Sequence, residues 1–181
     1  MNVYDFTVKT MDGKDVVLSS YKGKVLLIVN TATECGFTPQ YGDLEAMYKE
    51  FREKGFEILD FPSNQFHGQA PGSDGEIHAF CTGRFGVTFE QFHKIDVNGD
   101  DAIPLYKYLT ENTSFGGFSE KSELTPILEP IVQEMDEKYK ENGKIKWNFT
   151  KFLISRDGEI IKRFEPTDSM TEVKEAVKAA L

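Results

Sequence analysis

Lys24 to Asn30 is a near-continuous run of β-branched and aliphatic residues between Gly23 and a polar stretch, the pattern of a strand buried on both faces. Behind it, Pro39 suits the first turn of a helix. Tyr41, Leu44, Met47, Tyr48 and Phe51 then recur at helical spacing until Gly55 stops the element, and Phe56 to Phe61 reads as a second buried strand. Strand, loop, helix and strand joined by short connections make a βαβ unit, whose crossover is right-handed in nearly all cases. Cys35 falls on the loop between the carboxyl end of the first strand and the amino end of the helix.

The rest of the chain extends this unit. Val3 to Val8 and Val16 to Leu18 flank Met11-Asp12-Gly13-Lys14, a hairpin signal, and Arg156-Asp157-Gly158 gives a second hairpin between strands expected over Trp147 to Ser155 and Glu159 to Phe164. A helix is expected over Gly75 to Phe85, a strand over Thr88 to Ile95, a short helix over Pro104 to Leu109 and a closing helix over Thr171 to Leu181. Residues 112–143 read as an insertion, loop-like at first and then an amphipathic, acidic helix from Pro126 to Tyr139. That helix places Ile127, Leu128, Ile131, Met135 and Tyr139 near one stripe, which is expected to pack on its own domain; assembly with a second copy is the alternative. The elements sum to an α/β fold: one domain over residues 1–181, with a central four- or five-stranded sheet and helices on both sides.

Composition excludes several roles. Thirty acidic residues against 21 basic ones leave a net charge of −9, which repels nucleic-acid phosphates and anionic lipid heads. The longest apolar run, Val25 to Val29, is too short to span a bilayer, and the N-terminus lacks the plan of a secretory signal, so the expected location is cytoplasmic. His67, His78 and His93 lack metal-ligand spacing, and no Gly-rich phosphate cradle occurs. Asp96-Val97-Asn98-Gly99-Asp100-Asp101 shares its acids with a calcium loop, yet Asp101 stands where that loop requires Gly, so it is expected to be a turn. No metal or other cofactor is implied.

The two cysteines, Cys35 and Cys81, are then candidates for chemistry rather than for a staple in a reducing compartment. A lone cysteine is more often a small buried hydrophobe, but a thiol at a helix amino end is expected to feel the macrodipole and free N–H groups, which favour the thiolate. Glu34 works against this unless its side chain points to solvent.

Asn30-Thr31-Ala32-Thr33-Glu34-Cys35-Gly36-Phe37-Thr38 resembles the signature around the redox residue of glutathione peroxidases. Three further blocks agree: Phe61 to Gly72 (Phe-Pro-Ser-Asn-Gln-Phe-His-Gly-Gln-Ala-Pro-Gly), Val97-Asn98-Gly99 with Pro104-Leu105-Tyr106, and Trp147-Asn148-Phe149-Thr150-Lys151-Phe152-Leu153. The resemblance covers nearly the whole chain apart from the insertion. It implies a thioredoxin-like fold with a central mixed sheet, and a peroxidase acting on hydrogen peroxide and organic hydroperoxides. In that reading Cys35 is the peroxidatic residue, surrounded by Gln69, Trp147 and Asn148, whose N–H groups are neutral donors that can steady a sulfur anion and a departing oxygen. Read without the family, Trp147 would be a core anchor, and Gln69 and Asn148 would satisfy loop backbone.

Many family members carry a cysteine where this chain has Ser63, and some carry selenocysteine at the position of Cys35. Cys81 matches the resolving cysteine of the thioredoxin-dependent branch, which implies condensation of an oxidised Cys35 with Cys81 and reduction by thioredoxin. Glutathione is the other candidate reductant, disfavoured because Glu34 and Asp43 flank the thiol and no Lys/Arg cluster lies near it in sequence. The reduced form is expected to hold the two sulfurs apart, with residues 73–85 mobile. Two other readings share the fold: a thiol-disulfide oxidoreductase, against which stands the lack of a Cys-x-x-Cys pair, and a non-enzymatic peroxide sensor docked through the insertion helix.

Overall fold

A computed structural model describes residues 1–181. Strand β3 (Val25–Thr31) is buried along its whole length and lies at the centre of a five-stranded sheet. It pairs in parallel with β4 (Phe56–Pro62) through the helix α1 (Gln40–Phe51), so the βαβ unit is present as expected. On its other side it pairs antiparallel with β6 (Lys151–Ile154), which forms a hairpin with β7 (Ile160–Phe164). With β5 (Glu90–Gln91) at the edge beside β4, the order is β5-β4-β3-β6-β7, a mixed sheet. A separate hairpin of β1 (Thr7–Lys9) and β2 (Asp15–Val17) precedes it.

Successive residues on a strand face opposite sides of a sheet, and neighbouring positions show what covers each side. Asp60 and Lys151 reach Tyr41 and Gln40 of α1. Phe61 and Phe152, one position further along β4 and β6, pack edge-on against Tyr106 of α3 (Pro104–Glu111). Helix α2 (Asp74–Phe85) lies against α1, and α5 (Met170–Ala180) packs on α1 and β3.

Four expectations are corrected. The first strand does not begin at Val3: Val3–Asp5 is a 3₁₀ turn, capped by the Asn2 side chain. Thr88 to Ile95 is not one strand, because only Glu90 and Gln91 pair with β4; Phe92 then bridges to Thr10, and the Ile95 N–H returns to the Pro62 carbonyl. The strand expected from Trp147 starts only at Lys151. Residues 147–150 turn instead, with the Thr150 hydroxyl donating to the Trp147 carbonyl and Phe149 in the left-handed region at φ 66°.

The insertion helix is shorter than its sequence pattern. Helix α4 (Thr125–Met135) ends at Asp136, whose extended backbone breaks the run and whose carboxylate accepts from the Lys138 N–H and the Asn142 amide. Tyr139 follows in a 3₁₀ turn. The buried stripe is therefore rotated: Leu128 and Val132 face the body, Tyr139 is buried from outside the helix, and Ile127 and Met135 are 64% and 46% exposed. The helix does pack on its own domain, by a different face. No helix is long and apolar enough to cross a membrane.

Candidate active site

The loop after β3 is held by backbone that any residue could supply, positioned by side chains that only some could. The N–H groups of Thr33 and Glu34 both donate to the Gln69 carbonyl, at 3.2 and 2.9 Å, which ties the Cys35 loop to the Gln69 loop. The Thr38 hydroxyl accepts from the Cys35 N–H at 3.0 Å and donates to the Ala32 carbonyl at 2.9 Å, closing the turn. Within it the Phe37 N–H points at the Cys35 sulfur, 3.3 Å away. Glu34 is exposed, so its carboxylate lies in water.

The second loop is shaped by Asn64, which accepts the Ala70 N–H at 3.0 Å. The third arrives on the Trp147–Thr150 turn, held by the Asn30 side chain to the Trp147 carbonyl at 3.2 Å and by the Phe149 N–H to the Asn30 carbonyl at 2.6 Å. Asn98 fixes its approach with a reciprocal pair of bonds to the backbone of Ile145, at 2.8 and 2.9 Å, while Gln65 accepts from Val97 and Asn98. Trp147 is wedged between the rings of Phe66 and His67, at 5.7 and 5.2 Å.

These three segments bring Cys35, Gln69, Trp147 and Asn148 together. The Trp147 indole and the Asn148 amide lie beside the Cys35 sulfur, where they favour its anion, and the Asn148 amide donates to Gln69 Oε1 at 3.0 Å. That bond settles the orientation of the Gln69 amide: its oxygen is taken, so its N–H₂ is the free end. Asn148 Oδ1 is buried without a partner. The arrangement is a nearly buried thiol, 7% exposed, ringed by neutral donors.

Contrary to expectation, the Cys35 thiol does not sit at the amino end of a helix. Residues 35–39 form turns before α1 begins, so the sulfur receives one backbone N–H rather than a helix terminus. Burial dominates and pushes the Cys35 thiol above its ordinary value, opposed by the Phe37 N–H, Trp147, Asn148 and the charge of Lys151.

Cys81 is not part of this cluster. It lies fully buried in the middle of α2, and both thiols are free. Burial, and then the charge of Asp60, push its pKa up to about 11. Asp60 is itself buried and accepts from Tyr41 at 3.0 Å, Gln91 at 2.9 Å and the Thr31 hydroxyl; burial raises it to about 6. The sequence motifs contained Gln65, Asn98 and Lys151 but assigned them no part in the site. Their only signal was position beside named donors, since contact between distant loops has no periodicity to read.

Among known proteins, a model of the glutathione peroxidase family matches residues 3–110. A glutathione peroxidase homolog of Neisseria meningitidis is 47% identical, with all of both chains covered. A hydroperoxy fatty acid reductase of Synechocystis is 45% identical over 90% of this chain and 85% of its own. The crystal structure of GPX1 from T. cruzi superposes with a TM-score of 0.71 at 33% identity, covering 99% of this chain and 96% of the other. With a family model over residues 3–110, full-length relatives at this identity and a shared thioredoxin-like sheet, the chain belongs to the glutathione peroxidase family.

Proposed function

We propose that in this thiol peroxidase Cys35 is the residue oxidised by hydroperoxides, that Gln69, Trp147 and Asn148 supply the donors, and that Cys81 resolves the product. The observation that supports this is convergence: the Phe37 N–H of the Cys35 loop and the side chains of Trp147 and Asn148 from a distant turn gather at one sulfur, and Gln69 from a third segment is bonded to Asn148. The thiolate attacks one peroxide oxygen and the O–O bond breaks. The sulfur, oxidised by two electrons, becomes a sulfenic acid, and the alkoxide or hydroxide leaves with the proton the thiol gave up. The Cys81 thiol then displaces water from the sulfenic acid, and a thioredoxin dithiol opens the resulting disulfide. The name of the Synechocystis relative extends the substrate class to fatty-acid hydroperoxides.

The burial of Cys81 bears on the second half-reaction. A disulfide requires Cα atoms roughly 4.4 to 6.8 Å apart; with Cys81 fully enclosed in α2, we infer that it meets Cys35 by opening of that helix. With glutathione as reductant Cys81 has no task. We place the enzyme in a reducing cytosol, working as a single-domain monomer.

Cys35→Ser is expected to abolish peroxide consumption with the fold intact; turnover near wild type ends the assignment. Mass spectrometry after one equivalent of peroxide is expected to find a Cys35–Cys81 disulfide, and Cys81→Ser is expected to lose thioredoxin-coupled turnover. Full activity of that variant with thioredoxin, and no internal disulfide, overturns the two-cysteine cycle.

A further inference from the structure

Lys151 is fully buried, with its Nζ donating at 2.7 Å to the Phe149 carbonyl and at 2.7 Å to Gln40 Oε1. Both acceptors are neutral. The Gln40 amide is itself pinned, because its Nε2 donates to the Pro166 carbonyl at 2.9 Å, so its oxygen is committed to Lys151. An ammonium enclosed with two neutral carbonyls is costly unless charges nearby offset it. The anions that bear on it are Asp168 and Glu165 from the turn after β7, Asp43 from α1, and the Cys35 sulfur. Glu165 is occupied by Arg163 at 2.7 Å and Asp168 by the Glu165 N–H at 2.8 Å, and neither pairs directly with Lys151.

The placement of Lys151 follows from the backbone around it. It is the first residue of β6, directly after the turn that carries Trp147 and Asn148, and its bond to Gln40 ties it to the first residue of α1, just past the loop of Cys35. Two of the three segments that build the donor ring are therefore joined by this one amine.

We propose that Lys151 is a positioning residue of the peroxidatic centre, a buried cation that compensates the charge of the Cys35 thiolate and holds the donor turn against the start of α1. This rests on Cys35 being the oxidised residue. When the Cys35 thiol ionises, the sulfur attacks one oxygen of the hydroperoxide, the S–O bond forms as the O–O bond breaks, and the alkoxide takes the proton that the thiol released. Lys151 keeps its own proton throughout and acts by its charge.

The charge has a pH window. Burial drives Lys151 down to about 7, against the pull of Asp168, Glu165, Asp43 and Cys35. Its help to the thiolate is therefore full below that pH and fades above it. Arginine stays charged at any working pH, and methionine carries no charge.

The test measures the rate of Cys35 oxidation by hydrogen peroxide, followed by the fluorescence of Trp147, the only tryptophan, in wild type, Lys151→Met and Lys151→Arg across pH. At about pH 6 the Met variant is expected to be roughly ten-fold slower than wild type, and at about pH 9 the gap closes. The Arg variant is expected to stay near the wild-type rate at the lower pH. A ratio of wild type to Lys151→Met that is constant with pH, or an Arg variant as slow as the Met variant, overturns the proposal.

A reciprocal measurement leaves Lys151 in place. In lysine-labelled protein followed by carbon NMR, Cys35→Asp, which puts a carboxylate in place of the thiolate at the pH where Lys151 titrates, is expected to titrate Lys151 at higher pH than Cys35→Ser; equal midpoints overturn the coupling. Absence of any sulfenic acid at Cys35 in the wild type would instead remove the reading of Cys35 on which the inference rests.

Discussion

Around Cys35 two effects oppose each other: the dry surroundings that strengthen every donor also penalise the thiolate the donors serve. Removing one donor should then be costly. Gln69→Ala and Trp147→Phe are each expected to slow Cys35 oxidation by about 10²-fold, the size of one oxyanion-hole donor, as read by stopped-flow peroxide consumption. An unchanged rate makes that side chain structural. Asp60 allows a separate test of buried charge. Its ordinary value of 3.8 is raised to about 6 in the fold, so the fold favours the protonated form. That stabilisation is complete below about pH 4 and is lost as pH rises through about 6, amounting to on the order of 3 kcal/mol for a fully buried group. Urea denaturation at about pH 4.5 and 7.5 is expected to show wild type losing stability relative to Asp60→Asn at the higher pH. A difference independent of pH means that Asp60 does not ionise in the fold.

Helix α2, which carries Cys81, fully buries only Ile77 and Cys81, with Phe80 and Phe85 half-buried against the core, and its amino end is secured by polar contacts. The Ser73 hydroxyl accepts the Glu76 N–H while Glu76 accepts the Ser73 N–H, and Asp74 holds both the Lys94 N–H and His93. Such an element opens at low cost. Ser73→Ala removes a cap worth about 1 kcal/mol and is expected to speed Cys35–Cys81 disulfide formation. Gly83→Ala, whose added Cβ meets nothing within 4 Å, stabilises the helix by about 1 kcal/mol and is expected to slow it roughly five-fold. Rapid acid quench with mass spectrometry reads both. Equal rates in the two variants mean that opening of α2 does not limit the step.

Across the whole molecule, the insertion is clamped to the body at Gly143. Its carbonyl accepts from Arg163 at 2.5 Å, and a Cβ there would overlap the Thr110 carbonyl oxygen and lie 2.6 Å from that of Thr113. Backbone on both sides leaves no room to yield, so Gly143→Ala is expected to cost about 2 kcal/mol, seen as a lower Tm. Peroxidase activity should fall less than stability, because Arg163 and Gly143 touch neither Cys35 nor its donors. An unchanged Tm means that the insertion can shift without loss.

The βαβ unit, the hairpins and the Cys35 loop were legible in the chain because each is local: a run of apolar residues, a helical spacing, an Asp-Gly turn. The motif blocks likewise named Cys35, Gln69, Trp147 and Asn148 before any geometry was known. Other features depended on contacts between segments far apart. Val132 rather than Ile127 faces the body because the body, not the periodicity, selects the buried face. Trp147 to Thr150 turn instead of extending because Asn30, across the sheet, takes their backbone bonds. The thiol of Cys35 is raised rather than lowered because desolvation depends on everything packed around a sulfur, and a helix boundary in the sequence says nothing of that. Lys151, an ordinary lysine in the sequence, becomes a buried cation only when Gln40 and Phe149 close over it, since burial is a property of the folded surroundings and not of the residue.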